Sequence, residues 1–212
     1  MISAIIFDMD GVIVDSEPFW QQAEKTVFTA LGVKVTDELS LQTQIMTTAA
    51  VTQFWYDRYP WNDVSHSEVE ARVVDSVIES IQNHDCIMPG LKDSVTQLKK
   101  LGIKLGLATN SPYRVIPKVL EKAGLSQLFD AIVSAEQVKQ GKPAPDVYLS
   151  ALKQLAVDAA DTWAIEDSNS GARSALAAGL QVIGFGPKPL KGVQHQIDGF
   201  HQLDVQTLHK RS

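Results

Sequence analysis

Short apolar runs punctuate the chain at Ile2–Phe7, Ile103–Ala108, Ala131–Val133, Trp163–Ile165 and Val182–Phe185. A brief run without polar alternation suits a strand buried on both faces, as in a parallel sheet. Between the later runs, apolar residues recur at spacings of three and four. Leu91, Val95, Leu98 and Leu101 stop at Gly102, and Val115, Val119, Leu120 and Ala123 stop at Gly124. Val147–Leu155 and Ala172–Ala178 follow, the latter ending at Gly179. These spacings predict helices, with glycine suited to the left-handed residue that closes a helix. Strand and helix alternate from 91 to 185, which predicts an open α/β sheet with right-handed crossovers.

Residues Ser16 to Cys86 break the alternation and hold no convincing strand. Trp20, Ala23, Val27 and Leu31 share a helical face that ends at Gly32, and Ala49–Tyr59 and Val69–Ile81 read as two more helices. Met88-Pro89-Gly90 marks a turn back into the α/β part. The predicted fold class is therefore α/β: a Rossmann-like parallel sheet core from residues 1–15 and 87–212, with an all-helical cap inserted over 16–86. Open α/β sheets bind ligands at the C-terminal ends of their strands. An insertion leaving the end of the first strand is expected to cover such a site.

The polar residues at those strand ends supply candidate chemistry. The first run closes on Asp8-Met9-Asp10-Gly11. Residues i and i+2 of an extended chain point to one side, so both carboxylates can approach one site. Two carboxylates so close repel unless a cation or a shared proton intervenes. A hard divalent cation such as Mg2+ suits oxygen ligands. Gly11 permits a sharp turn and close approach to a ligand. After Ile103–Ala108 come Thr109, Asn110, Ser111 and Pro112. Ser111 as N-cap and Pro112 as first helical residue predict a helix start that could hold an anion. Gly141-Lys142-Pro143 precedes another helix, and Glu166-Asp167-Ser168 follows Trp163–Ile165. Carboxylates, a hydroxyl and a lysine at four strand ends suit phosphoryl transfer, which chiefly needs positioning and charge stabilisation.

Composition narrows the partners. A net charge of −6 with no long Lys/Arg cluster argues against nucleic-acid or anionic-membrane binding. No apolar stretch approaches the ~18 residues that would span a bilayer, and no leader pattern opens the chain. The single cysteine, Cys86, forms no intrachain disulfide and is expected to be a packing residue. A cytoplasmic protein, more readily monomer than obligate oligomer, is expected.

The order "DMDGVIVD", the Thr ending "GLAT", the Lys of "GKPAPDVY" and "IEDSNSG" resembles the four motifs of the haloacid dehalogenase (HAD) superfamily of phosphohydrolases. The insertion resembles that family's C1 cap. "DSEPFW" and "FWYDRYPW" look closest to its sugar-phosphatase branch, which includes 2-deoxyglucose-6-phosphate and hexitol-phosphate phosphatases. The resemblance implies that Asp8 is the nucleophile and forms an aspartyl-phosphate, and that Asp10 is the general acid and base. It implies that Thr109, Asn110 and Lys142 hold the phosphoryl group. Asp8, the Asp10 carbonyl and Asp167 would bind Mg2+, with Glu166 either a further ligand or a partner of the ligands. The acid at position 10 argues against a haloalkanoic acid dehalogenase. Ile45 and Thr47 stand where relatives often carry Gly and Arg in the cap's substrate loop, which points to a different substrate contact. Glu17, Trp20, Trp55 and Trp61 are candidates to line the cap. His66, His84, His195, His201 and His209 lie away from the motifs and read as surface or packing residues.

The expected function is Mg2+-dependent hydrolysis of a small sugar or sugar-alcohol phosphate. Two alternatives stay open: a β-phosphoglucomutase-like mutase, and a non-catalytic phosphometabolite sensor, which would have no need of a nucleophile.

Overall fold

A computed structural model describes residues 2–193, 195–205 and 208. Its sheet has six parallel strands in the order β3-β2-β1-β4-β5-β6. They are β1 (Ala4–Phe7), β2 (Lys104–Thr109), β3 (Ala131–Ser134), β4 (Thr162–Glu166), β5 (Gln181–Phe185) and β6 (His195–Ile197). The apolar runs became strands because both faces are covered. Ala4, Ile6, Ala108, Val133, Ala164 and Val182 pack with α7 (Asp146–Leu155) and α8 (Asn169–Ala177). On the other face Phe7 meets Phe129 at 5.8 Å and Phe200 at 6.2 Å between ring centroids. Gly106 in β2 leaves room for Ile6 and Leu155, whose atoms would lie 3.1 Å from an added Cβ. Between the strands run α5 (Leu91–Lys100) and α6 (Ile116–Ala123), and Gly102, Gly124 and Gly179 follow their helices with positive φ.

The chain divides into two compact units: Met1–Asp15 with Ile87–Ser212, and Ser16–Cys86. The second is wholly helical: α1 (Glu17–Ala30), α2 (Asp37–Thr43), α3 (Thr48–Arg58) and α4 (His66–Asn83). Thr36, Thr47 and Ser65 cap α2, α3 and α4 by accepting the backbone N–H of Leu39, Ala50 and Glu68. Ala23, Phe28, Val51, Trp55, Val69, Val73, Val77 and Ile81 form its interior. Phe28 lies 6.0 Å from Trp55 and 5.9 Å from Trp61 between ring centroids.

Several expectations are corrected here. Trp55 and Trp61 do not line a surface; they are 0% and 6% exposed and form the aromatic core of the helical unit. Thr47, one of the two departures from the family's substrate loop, is occupied as a helix cap. The helix expected to start at Ser111-Pro112 begins instead at Ile116. Pro112 stays extended at ψ 141°, and a 3-10 turn over Tyr113–Val115 intervenes. α2 was not foreseen, and neither was the pairing of β6 with β5. Cys86 is buried and reduced. His66 meets Tyr56 and His195 meets Trp163 edge-on, His84 lies against Phe19 at a tilt, and His201 is exposed. His209 lies outside the described residues. Among those residues, no helix is long and apolar enough to cross a membrane.

Candidate active site

The chain visits β1, β2 and β3 on one side of the sheet and then returns to β4 on the other side of β1. Such a reversal of direction opens a crevice at the strand ends. β1 pairs with β4 so that Phe7 faces Ile165, and the Asp8 N–H donates to the Ile165 carbonyl at 3.0 Å. That register brings Asp8 level with Glu166. β1 also pairs with β2, which carries Thr109 at its end.

Lys142 joins these strand ends. Its ammonium donates to Asp8 Oδ1 at 2.8 Å and to Glu166 Oε1 at 2.6 Å. It is 7% exposed, so it is no solvated surface lysine. Asn110 fixes its backbone from both directions. The Lys142 N–H donates to Asn110 Oδ1 at 2.7 Å, and Asn110 Nδ2 donates to the Lys142 carbonyl at 3.1 Å. The Asn110 side chain thus positions Lys142. Burial alone would depress the lysine; the carboxylates of Asp8 and Glu166 more than offset it and hold the ammonium above its usual pKa.

Asp8, Glu166 and Asp167 each bring a carboxylate oxygen within 4.8 Å of the others. Burial, and then the charge of Glu166, push Asp8 well above the ordinary carboxylate range despite Lys142. Loss of hydration and the same neighbour raise Asp167 to about 7. Two glycines make this crowding sterically possible. Gly11 turns at φ 76°, and an added Cβ would sit 2.1 Å from Asp167 Oδ2. A Cβ on Gly171 would sit 1.8 Å from Glu166 Oε2.

The carboxylate set fits a hard divalent cation. Three carboxylates against one ammonium leave excess negative charge at one point. Glu166 Oε2 is buried with no hydrogen-bond partner. All the side-chain donors gathered there are oxygens, which suits Mg2+.

Asp10 borders this cluster, its charge acting on Asp8 and Asp167. Ser111 Oγ donates to Asp10 Oδ2 at 2.6 Å, and Thr109 Oγ1 donates to the same oxygen at 3.4 Å. The Ser111 N–H in turn donates to Thr109 Oγ1 at 3.0 Å, and Ser134 Oγ donates to the Ser111 carbonyl at 2.7 Å. Ser111 therefore serves as the partner of Asp10, not as the helix cap expected of it. Tyr148, absent from the sequence-based candidates, donates its buried hydroxyl to Glu166 Oε1. Its advance signals were its place at the end of "GKPAPDVY" and a phenol inside the apolar helix Val147–Leu155, where a buried hydroxyl needs an acceptor. In the helical unit Glu17 and Trp20 lie on the first turns of α1, both partly exposed, with Glu17 accepting from Gln21 Nε2 at 2.9 Å.

The family model for haloacid dehalogenase-like hydrolases matches residues 5–185. The chain belongs to this family. It is 38% identical over 183 residues to hexitol phosphatase B of Escherichia coli strain K12, covering 86% of this chain and 82% of the relative. It is 30% identical over 188 residues to a phosphorylated carbohydrates phosphatase of Thermotoga maritima, covering 86% and 84%. Among solved structures, CbbY from Rhodobacter sphaeroides in complex with phosphate superposes with a TM-score of 0.84 at 26% identity, over 95% of this chain and 96% of that one. The HAD-like fold and the parallel α/β core are thus common to sequence, structure and relatives.

Proposed function

We propose that this HAD-like hydrolase is a Mg2+-dependent phosphatase of small sugar or sugar-alcohol phosphates, acting through an aspartyl-phosphate. The observation that carries the reading is the Asp8–Lys142 pair beside Glu166 and Asp167, with Asp10 separately held by Ser111. The likeness to phosphatases of hexitols and phosphorylated carbohydrates supports the substrate class.

In this mechanism an Asp8 carboxylate oxygen bonds to phosphorus while the bond from phosphorus to the sugar oxygen breaks. Asp10 delivers a proton to the departing oxygen. Lys142, anchored by Asn110, sets the orientation of Asp8 and offsets charge on the transferring group, with Thr109 beside it. Asp10 then takes a proton from water as the water oxygen bonds to phosphorus. Phosphate leaves and Asp8 is regenerated. Asp8, Glu166, Asp167 and the Asp10 carbonyl would hold Mg2+, which supplies charge neutralisation for the phosphoryl oxygens when bound. Residues 16–86 are proposed as the cap, with Glu17 and Trp20 its candidates for substrate selection.

The test is phosphate release from hexose, deoxyhexose, hexitol and pentose phosphates and phosphoglycolate, with Mg2+ and with chelator. Metal-dependent release centred on hexose or hexitol phosphates is expected, and Asp8→Asn should lose it while remaining folded. Steady turnover by folded Asp8→Asn would remove Asp8 as nucleophile. Isomerised sugar phosphate without free phosphate would replace hydrolysis by a mutase reaction, and binding without turnover would replace it by a sensor.

A further inference from the structure

Tyr148 closes the Gly141–Tyr148 stretch that carries Lys142, lies in the first turn of α7 and is fully buried. Its hydroxyl and the Lys142 ammonium both donate to one oxygen of Glu166, Oε1. The other oxygen, Oε2, is buried and accepts nothing. The Gly171 backbone lies close against the carboxylate, since any Cβ there would overlap it. The Glu166 carboxylate is thereby clamped in one orientation, with two donors on Oε1 and none on Oε2. Oε2 belongs to the residue that gathers with Asp8 and Asp167.

A second consequence concerns Lys142. Its ammonium is shared between Asp8 at 2.8 Å and Glu166 at 2.6 Å. With the phenol also donating to Glu166, the lysine is not the sole donor to that carboxylate and stays available to Asp8. Removing the phenol would leave Lys142 alone on Glu166, free the carboxylate to rotate and draw the ammonium from Asp8.

We infer that Tyr148 is a positioning residue: it fixes the Glu166 carboxylate in the orientation that serves a divalent cation held with Asp8 and Asp167. The inference rests on the proposed Mg2+ site. Groups that orient metal ligands typically contribute 10–100-fold in metal affinity, so Tyr148→Phe should weaken Mg2+ binding at least about tenfold.

The experiment is calorimetric titration of Mg2+ into wild type, Tyr148→Phe and a variant carrying 4-aminophenylalanine at 148. Metal-free thermal melts and phosphate release from a hexitol phosphate are measured alongside. The phenylalanine variant keeps the ring volume, and the amino variant restores an N–H donor at the ring's far end. Weakened Mg2+ binding in Tyr148→Phe, recovered in the amino variant, supports the inference. Unchanged Mg2+ affinity in Tyr148→Phe overturns it, even if the metal-free melt falls, because that fall is packing alone. Should Tyr148→Phe not fold, an amino variant that folds yet binds Mg2+ at least tenfold more weakly than wild type overturns it. Wild-type binding by that variant supports it. Wild type that neither binds Mg2+ nor releases phosphate would instead overturn the function on which the inference stands.

Discussion

Glu24 lies on α1 near Trp20 and Phe28, in the stripe that otherwise turns apolar residues inward. It is half-buried, and the Thr43 hydroxyl donates to Glu24 Oε2 at 3.2 Å. Loss of hydration, with Glu17 adding repulsion, raises its pKa from 4.5 to about 7. A carboxyl whose pKa is raised on folding holds its proton more tightly in the folded state. Its stabilising contribution is therefore lost as pH climbs from the unfolded value towards the folded one. With these two values, linkage gives a loss of about 2.5 kcal/mol between pH 5 and pH 8. Solvent screening at a half-buried group reduces this to about 1–2 kcal/mol. Glu24→Gln removes the titration and keeps the shape. Urea melts followed by tryptophan fluorescence report on the relevant unit, because Trp20, Trp55 and Trp61 lie in residues 16–86. The variant should gain stability over wild type mainly at pH 8, by about 1–2 kcal/mol more than at pH 5. Asp167, raised to about 7, also titrates in this range, but it cancels in the difference between the two proteins. An equal gain at both pH values would refute the reasoning.

Replacing Lys142 by Met leaves Asp8 and Glu166 buried without their cation. Urea unfolding at pH 7.5 should show a loss of about 3 kcal/mol, with a smaller loss as pH falls, because burial already favours the protonated form of Asp8. Ser111→Ala removes the 2.6 Å donor to Asp10. Steady-state kinetics should then show kcat lowered about tenfold with little change in KM, since a hydrogen bond to a charged group is worth about 1.5–3 kcal/mol; an unaltered kcat would detach Ser111 from the acid–base step.

The strands of the sheet interior were legible because burial on both faces leaves an apolar run that needs no partner to be seen. The pairing of β6 with β5 was not, since His195-Gln196-Ile197 is a three-residue edge strand with polar side chains. Nor was α2, whose Asp37–Thr43 segment carries few apolar residues and depends on its Thr36 cap. At the site, Asp8, Asp10, Lys142, Glu166 and Asp167 could be found because each follows a strand or opens a helix. Ser111 was placed correctly and given the wrong task. A serine before a proline reads as a helix cap, and only the fold brings Asp10 within reach of its hydroxyl. Tyr148 meets Glu166 across the packing of α7 on the sheet, a contact with no sequence spacing to betray it.

The central place of β1 also orders events during synthesis. Its backbone emerges well before its partners, since Ala4 pairs with Lys104 and Thr162. At roughly 5–20 residues per second, this unpaired apolar segment waits several seconds for its first neighbour. The helices of residues 16–86 are meanwhile complete and make contacts close in sequence, which form early. Biogenesis of this protein thus exposes a sticky central strand until late, and makes β1 the segment a chaperone has most reason to hold.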